Sequence, residues 1–147
     1  MTDSQAQTVY LADYKAPSYW VDHVDLTFKL APNATRVISK VKFRPNPDSV
    51  GEFFLHGENL KLICAKINGT PVTPNVSEKG LTCAVPTTEF VWECEVEIDP
   101  AANTALEGLY MSNGMYCTQC EAEGFRKITY FPDRPDVMAV FSVRIES

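Results

Sequence analysis

No run in the sequence approaches the roughly 18 consecutive apolar residues that a membrane-spanning helix needs, and the opening segment MTDSQAQTVYLADYKAP lacks a basic start followed by an apolar stretch. These two absences argue against a membrane partner and an export signal, so a cytoplasmic chain is expected. Histidine is scarce: His23 and His56 stand far from each other and from any carboxylate-rich motif, so each is read as an ordinary strand or turn residue. The patterns HExxH and GxSxG and the phosphate-cradling glycine loop are missing, and no cysteine has an evident histidine partner. The chain therefore shows no catalytic set and no metal-ligand set of its own, and by itself reads as a non-enzyme. Cations are short as well. Lysine and arginine number 13 against 19 aspartates and glutamates, a net charge of -6 that repels phosphate backbones and anionic surfaces and excludes nucleic acid as a natural partner. Long amphipathic helical periodicity is absent throughout, so no long helix is expected.

What is present suits a globular domain. Hydrophobic residues make up 45% of the 147 and charged residues 22%, too apolar for intrinsic disorder. A chain of this size buries roughly 70% of the surface that its unfolded form exposes, so residues 1–147 are read as one domain around one core. The five cysteines, Cys64, Cys83, Cys94, Cys117 and Cys120, are an odd number without an export signal, and reduced thiols are expected.

Alternation carries the secondary structure. Val24, Leu26, Phe28 and Leu30 alternate with polar residues, Pro32-Asn33-Ala34 supplies a turn, and Val37 to Arg44 returns, so the pair predicts an antiparallel hairpin. Phe53 to His56 and Leu60 to Ile67 are further short strand-like runs. Asn68-Gly69 is the dipeptide that most readily takes the positive φ angles of a tight hairpin, with Val72 beginning the return. After the short run Leu81 to Val85, Phe90 to Asp99 shows the clearest alternation in the chain and marks Cys94 as a buried small hydrophobe. Ala101 to Leu106 has room for one helical turn at most, and Val137 to Ile145 alternates to the end. Many short strands punctuated by ten prolines and seven glycines indicate an all-β fold, a sandwich or saddle-shaped, mostly antiparallel sheet.

One segment invites chemistry. In YCTQCEAEGF, Cys117 and Cys120 have the spacing of half a zinc site, but the other cysteines are scattered singly along strand-like runs. A redox dithiol favours a helix start, where the dipole lowers the thiol pKa, and this segment reads as extended. An extended Cys117 to Glu123 sends Cys117, Gln119, Glu121 and Glu123 one way and Thr118, Cys120 and Ala122 the other. The polar face is then either a solvated strand face or a receptor for a cation or amine, since carboxylates beside an amide oxygen offer several acceptors to one ammonium group.

The stretch PAANTALEGLYMSNGMYCTQCEAEGFRKITYFPDRPDVMAVFSVRI closely resembles the amino-terminal domain of the zinc-dependent gluzincin aminopeptidases of the bacterial aminopeptidase N type. NTALEGLY, TQCEAEGFR and DRPDV occur in the family's order, and DYKAPSYWVDHVDLTFKL and GENLKLICAKING fit more loosely. The resemblance implies a β-rich saddle lying against a thermolysin-like catalytic domain, with a Gln-x-Glu segment binding the free α-amine of a peptide. Here that segment is Gln119-Cys120-Glu121, with the cysteines facing away from the site and Glu123 a bystander candidate. The resemblance also implies zinc in a parent enzyme, on ligands outside this chain, and a second amine anchor in a GAMEN-like strand that this chain does not have. On that reading residues 1–147 are an amino-terminal domain incomplete at its C-terminal end, without the catalytic domain, inert alone and binding no metal. Its partners are the peptide amino terminus, the parent's catalytic domain and, through the open edge of a truncated sheet, a second copy. The alternative is a free-standing β-sandwich binding module without catalysis.

Overall fold

The computed structural model describes residues 7–147. In chain order the strands are β1 (Tyr19–Lys29), β2 (Thr35–Pro45), β3 (Phe54–His56), β4 (Lys61–Ile67), β5 (Thr70–Val72), β6 (Asn75–Val76), β7 (Gly80–Thr82), β8 (Phe90–Ile98), β9 (Gly108–Ser112), β10 (Met115–Gln119) and β11 (Val140–Glu146). They build a six-stranded sheet in the order β11-β1-β2-β8-β4-β5, a three-stranded sheet β3-β7-β6 and the hairpin β9–β10. Every pairing is antiparallel except that of β11 with β1. The fold is thus the mostly antiparallel all-β architecture that the alternation indicated, and no described helix is long and apolar enough to cross a membrane.

The hairpin β1–β2 forms in the register that the pattern requires, with Val24 opposite Val41 and Phe28 opposite Val37. A bulge at Asp22 turns Val21 and Val24 to the same buried side, which is why strict alternation begins only at Val24. The inner face of the large sheet is apolar: Val37, Val41 and Phe43 from β2 meet Phe90, Trp92, Cys94 and Val96 from β8, all within 3% of complete burial. Phe53 enters from the opposing layer, its ring centroid 5.0 Å from Phe43, 5.4 Å from Phe90 and 5.6 Å from Trp92. Leu55, Leu81 and the segment Ile128, Tyr130 and Phe131 complete this layer. The outer face carries a charge ladder in which Arg36 Nε donates to Glu97 at 2.9 Å and Lys42 lies 3.6 Å from Glu89. Such exposed pairs keep the face wet and contribute little to stability.

Two features tie the ends of the fold to the region of interest. The Tyr14 hydroxyl donates to Asp136 at 2.8 Å, and Arg134 binds both Asp136 and the Lys15 carbonyl, so the chain before β1 is clasped to the loop before β11. The aromatic rings of Phe125, Phe131 and Phe141 meet at 5.1 to 6.2 Å and join the turn after β10 to β11.

The last run departs from expectation. It becomes a strand only from Val140, and its alternation sorts only the first half, where Val137 is buried and Ala139 packs on the core while Met138 and Val140 are exposed; Val143 and Ile145 are 56% and 66% exposed. β11 occupies the edge of the large sheet, where Phe141 meets Phe125 and Phe131 while Val143 and Ile145 stay exposed.

Candidate functional site

Gln119 and Glu121 stand at the open end of the β9–β10 hairpin. Gln119 is the last residue of β10 and pairs with Gly108, the first of β9. Here the sequence reading needs correcting: the segment is extended only to Gln119, and residues 121–124 form a turn that leads into a 3-10 turn at Phe125–Lys127. The cause is local. The Gly124 amide donates to the Cys120 carbonyl at 2.8 Å and closes the turn, and a Cβ on Gly124 would collide with the Gln119 carbonyl. Gly108 has φ +76°, and a Cβ there would lie 2.8 Å from that of Lys127, so the hairpin start and the turn approach through two glycines.

Charged side chains brace this turn. Arg126 donates from its backbone and from Nε to Asp133 Oδ2, at 3.2 and 3.0 Å, and its Nη2 lies 3.6 Å from Glu123. Lys127 Nζ lies 3.3 Å from Glu58 and 3.6 Å from Glu107. Asn103 donates to the carbonyls of Glu107 and Leu109 at 2.8 and 2.9 Å and pins the start of β9. Glu123, Asp133, Glu107 and Glu58 are therefore all engaged with cations. Glu121 is different: exposed, it makes no hydrogen bond or ion pair with any described residue, and the Gln119 amide beside it is equally exposed and unengaged. The arrangement offers one uncommitted carboxylate and one amide oxygen from a braced frame, which suits a ligand ammonium group.

The cysteines divide. Cys120 is half-buried, packs against the core and has its thiol pKa pushed up by burial and then by Asp133, unlike an activated thiol. Cys117, expected to face away, instead alternates onto the Gln119 side of β10, opposite Tyr110. All five cysteines are free, and among the described residues no three metal-ligating side chains converge. The two histidines are less isolated than they read. His23 Nε2 contacts both Asp25 and Ser142 across β1 and β11, and His56 Nδ1 accepts from the Asp133 amide at 3.1 Å while its backbone pairs with Phe131.

Sequence reasoning missed the braces Arg126, Lys127, Asp133, Glu107 and Glu58. The one available signal was the basic pair Arg126-Lys127 directly after a turn, with opposite charges within reach at Glu123 and Asp133.

Fold and site together define a β-sandwich domain that presents an unpaired carboxylate and amide at a hairpin end. The chain belongs to the peptidase M1 N-terminal domain family, whose pattern matches residues 20–147. It is 47% identical over its whole length to the aminopeptidase N of Caulobacter vibrioides and 46% identical over 96% of its length to that of Escherichia coli. The chain spans only about a sixth of either relative, 17% and 16% of their lengths. The solved structure of Legionella pneumophila aminopeptidase A in complex with aspartic acid superposes with a TM-score of 0.84 at 32% identity, over 92% of this chain and 17% of that one.

Proposed function

We propose that this domain works within a zinc aminopeptidase of the M1 family, where Glu121 and Gln119 anchor the free α-ammonium of a peptide substrate. The observation that carries the proposal is the uncommitted Glu121 carboxylate beside Glu58, Glu107, Glu123 and Asp133, which brace the turn and are each paired with a cation. An exopeptidase must measure from the amino terminus to the scissile bond. A fixed carboxylate serves that purpose because the ammonium is the one group that every unblocked peptide carries. The relatives that share this sequence are aminopeptidases, which supports a hydrolase as the parent. A structural neighbour from Deinococcus radiodurans, 17% identical, is a zinc metallopeptidase. Among the described residues no set of metal-ligating side chains converges, so the ligands are proposed to lie in another part of such a parent and no step is assigned to the metal. The partners proposed are the peptide amino terminus and the parent's catalytic domain, in the cytoplasm.

The test is steady-state kinetics on the full-length protein containing this domain. Loss of one charge-assisted hydrogen bond of about 1.5–3 kcal/mol predicts a 10- to 150-fold fall in kcat/KM for Glu121→Ala, with a smaller fall for Gln119→Ala. The isolated 147-residue chain with added zinc is expected to be inert. A Glu121 variant with wild-type kinetics would remove the anchor role. Chelator-sensitive turnover by the purified chain would reveal a ligand set in this domain. A natural reading frame ending at Ser147 would favour the second reading, a free-standing binding module.

A further inference from the structure

Two hairpins in this chain turn on the same dipeptide, and the fold treats them differently. Asn68-Gly69 joins β4 to β5 and Asn113-Gly114 joins β9 to β10, with φ of +50° and +79° in the first and +50° and +76° in the second. Both asparagines are exposed, and a Cβ added to either glycine would meet nothing within 4 Å, so neither turn is sterically shielded. Asn68 is nevertheless held on two sides. Its side-chain Oδ1 accepts from the Val91 amide at 2.9 Å, and its own amide donates to the Val91 carbonyl at 2.9 Å. Asn113 makes no side-chain hydrogen bond with any described residue; the Gly69 and Gly114 amides are equally unengaged, so the difference between the turns lies in the asparagines.

From this asymmetry we infer that Asn113 is a site of spontaneous deamidation, a covalent modification of the β9–β10 turn from which Asn68 is protected. The deprotonated Gly114 amide nitrogen attacks Cγ of Asn113. The new C–N bond closes a five-membered succinimide, and the side-chain nitrogen departs as ammonia after taking up a proton from water. Water then opens the ring at either carbonyl, giving aspartate or isoaspartate. The net reaction exchanges one NH2 for one OH with consumption of one water, and needs no oxidant or further reactant. Glycine at the second position favours it because no Cβ obstructs the approach of nitrogen to carbon. At Asn68 the same step requires the side chain to leave Val91 first. The isoaspartate product inserts a methylene into the main chain of a two-residue turn whose register runs to Gln119 at the far end of β10, so the modification acts on the strand that carries the site.

The experiment is incubation of the purified chain at neutral and mildly alkaline pH, followed by proteolysis and mass spectrometry of the two asparagine-glycine peptides, with enzymatic detection of isoaspartate. The expected result is conversion at Asn113 about fivefold or more faster than at Asn68, the factor that one hydrogen bond of ordinary strength supplies, with both rates rising with pH. In denaturant the two rates should converge, and Asn113→Gln should abolish the product in the Asn113 peptide while Asn68 behaves as before. Conversion at Asn68 as fast as at Asn113 in the native chain, an Asn113 that stays unmodified, or a rate difference that survives denaturant would overturn the inference.

Discussion

Cys94 shows how far burial alone can set a residue's chemistry. Its thiol is 3% exposed, and burial pushes its pKa up to about 11 although the hydroxyl of Thr129, 3.8 Å away, and its neighbours Trp92 and Ser39 favour the thiolate. Access and ionisation are thus denied together. Native-state alkylation followed by peptide mapping is expected to modify exposed Cys64 and leave Cys94 unreacted until the chain unfolds; labelling of both at one rate would contradict this. Glu121 is the opposite case, an exposed acid with no hydrogen-bond or ion-pair partner among the described residues. Alternation put Gln119, Glu121 and Glu123 on one polar face without separating the two carboxylates, and only the resemblance singled out Glu121. In the structure the two differ in their partners, since Glu123 is paired with Arg126, and that depends on where the turn sends each carboxylate.

At the scale of elements, the turn that carries Glu121 is stabilised through β3. His56 joins β3 to Phe131 and Asp133, and its pKa lies below the ordinary value because burial, and then the nearby Arg126 guanidinium, disfavour the imidazolium. The native state therefore favours the neutral ring. The stability associated with it is complete above the unfolded value of about 6.5 and declines as pH falls below it, when the unfolded chain takes up a proton more readily. Thermal unfolding of His56→Gln beside wild type is expected to show a smaller drop in Tm between about pH 8 and pH 5 for the variant, which cannot titrate there. Equal drops would mean that His56 does not sense pH in the native state. Strands β1, β2 and β8 of the large sheet were legible from alternation because each has one buried face. The turn at 121–124 was not, because its cause is the contact of Gly124 with the Gln119 carbonyl, and a search for period two sees only polar spacing.

For the molecule as a whole, the open feature is β11. Its outer edge is unpaired among the described strands, and Val140, Phe141, Val143 and Ile145 are all exposed. An exposed apolar edge strand is a template for pairing with another chain. For the isolated 147-residue chain the expected outcome is concentration-dependent self-association in size-exclusion chromatography with light scattering. Val143→Lys, at an exposed position, should suppress it by placing a charge on the edge. A chain that stays monomeric at high concentration, or a variant that associates equally well, would show that β11 is not the contact.

The one-dimensional pattern was sufficient for the all-β class, the β1–β2 hairpin, the burial of Cys94 and the Asn68-Gly69 turn, since each depends on neighbours two to four residues apart and on side-chain size. The braces Arg126–Asp133 and Lys127–Glu58–Glu107 and the exposure of Val143 and Ile145 on β11 depended on tertiary placement. Those are decided by which distant segments the sheets bring into contact. Spacing along the chain carries no record of that, because a salt bridge is selected by distance in space and an edge by what fails to pack against it.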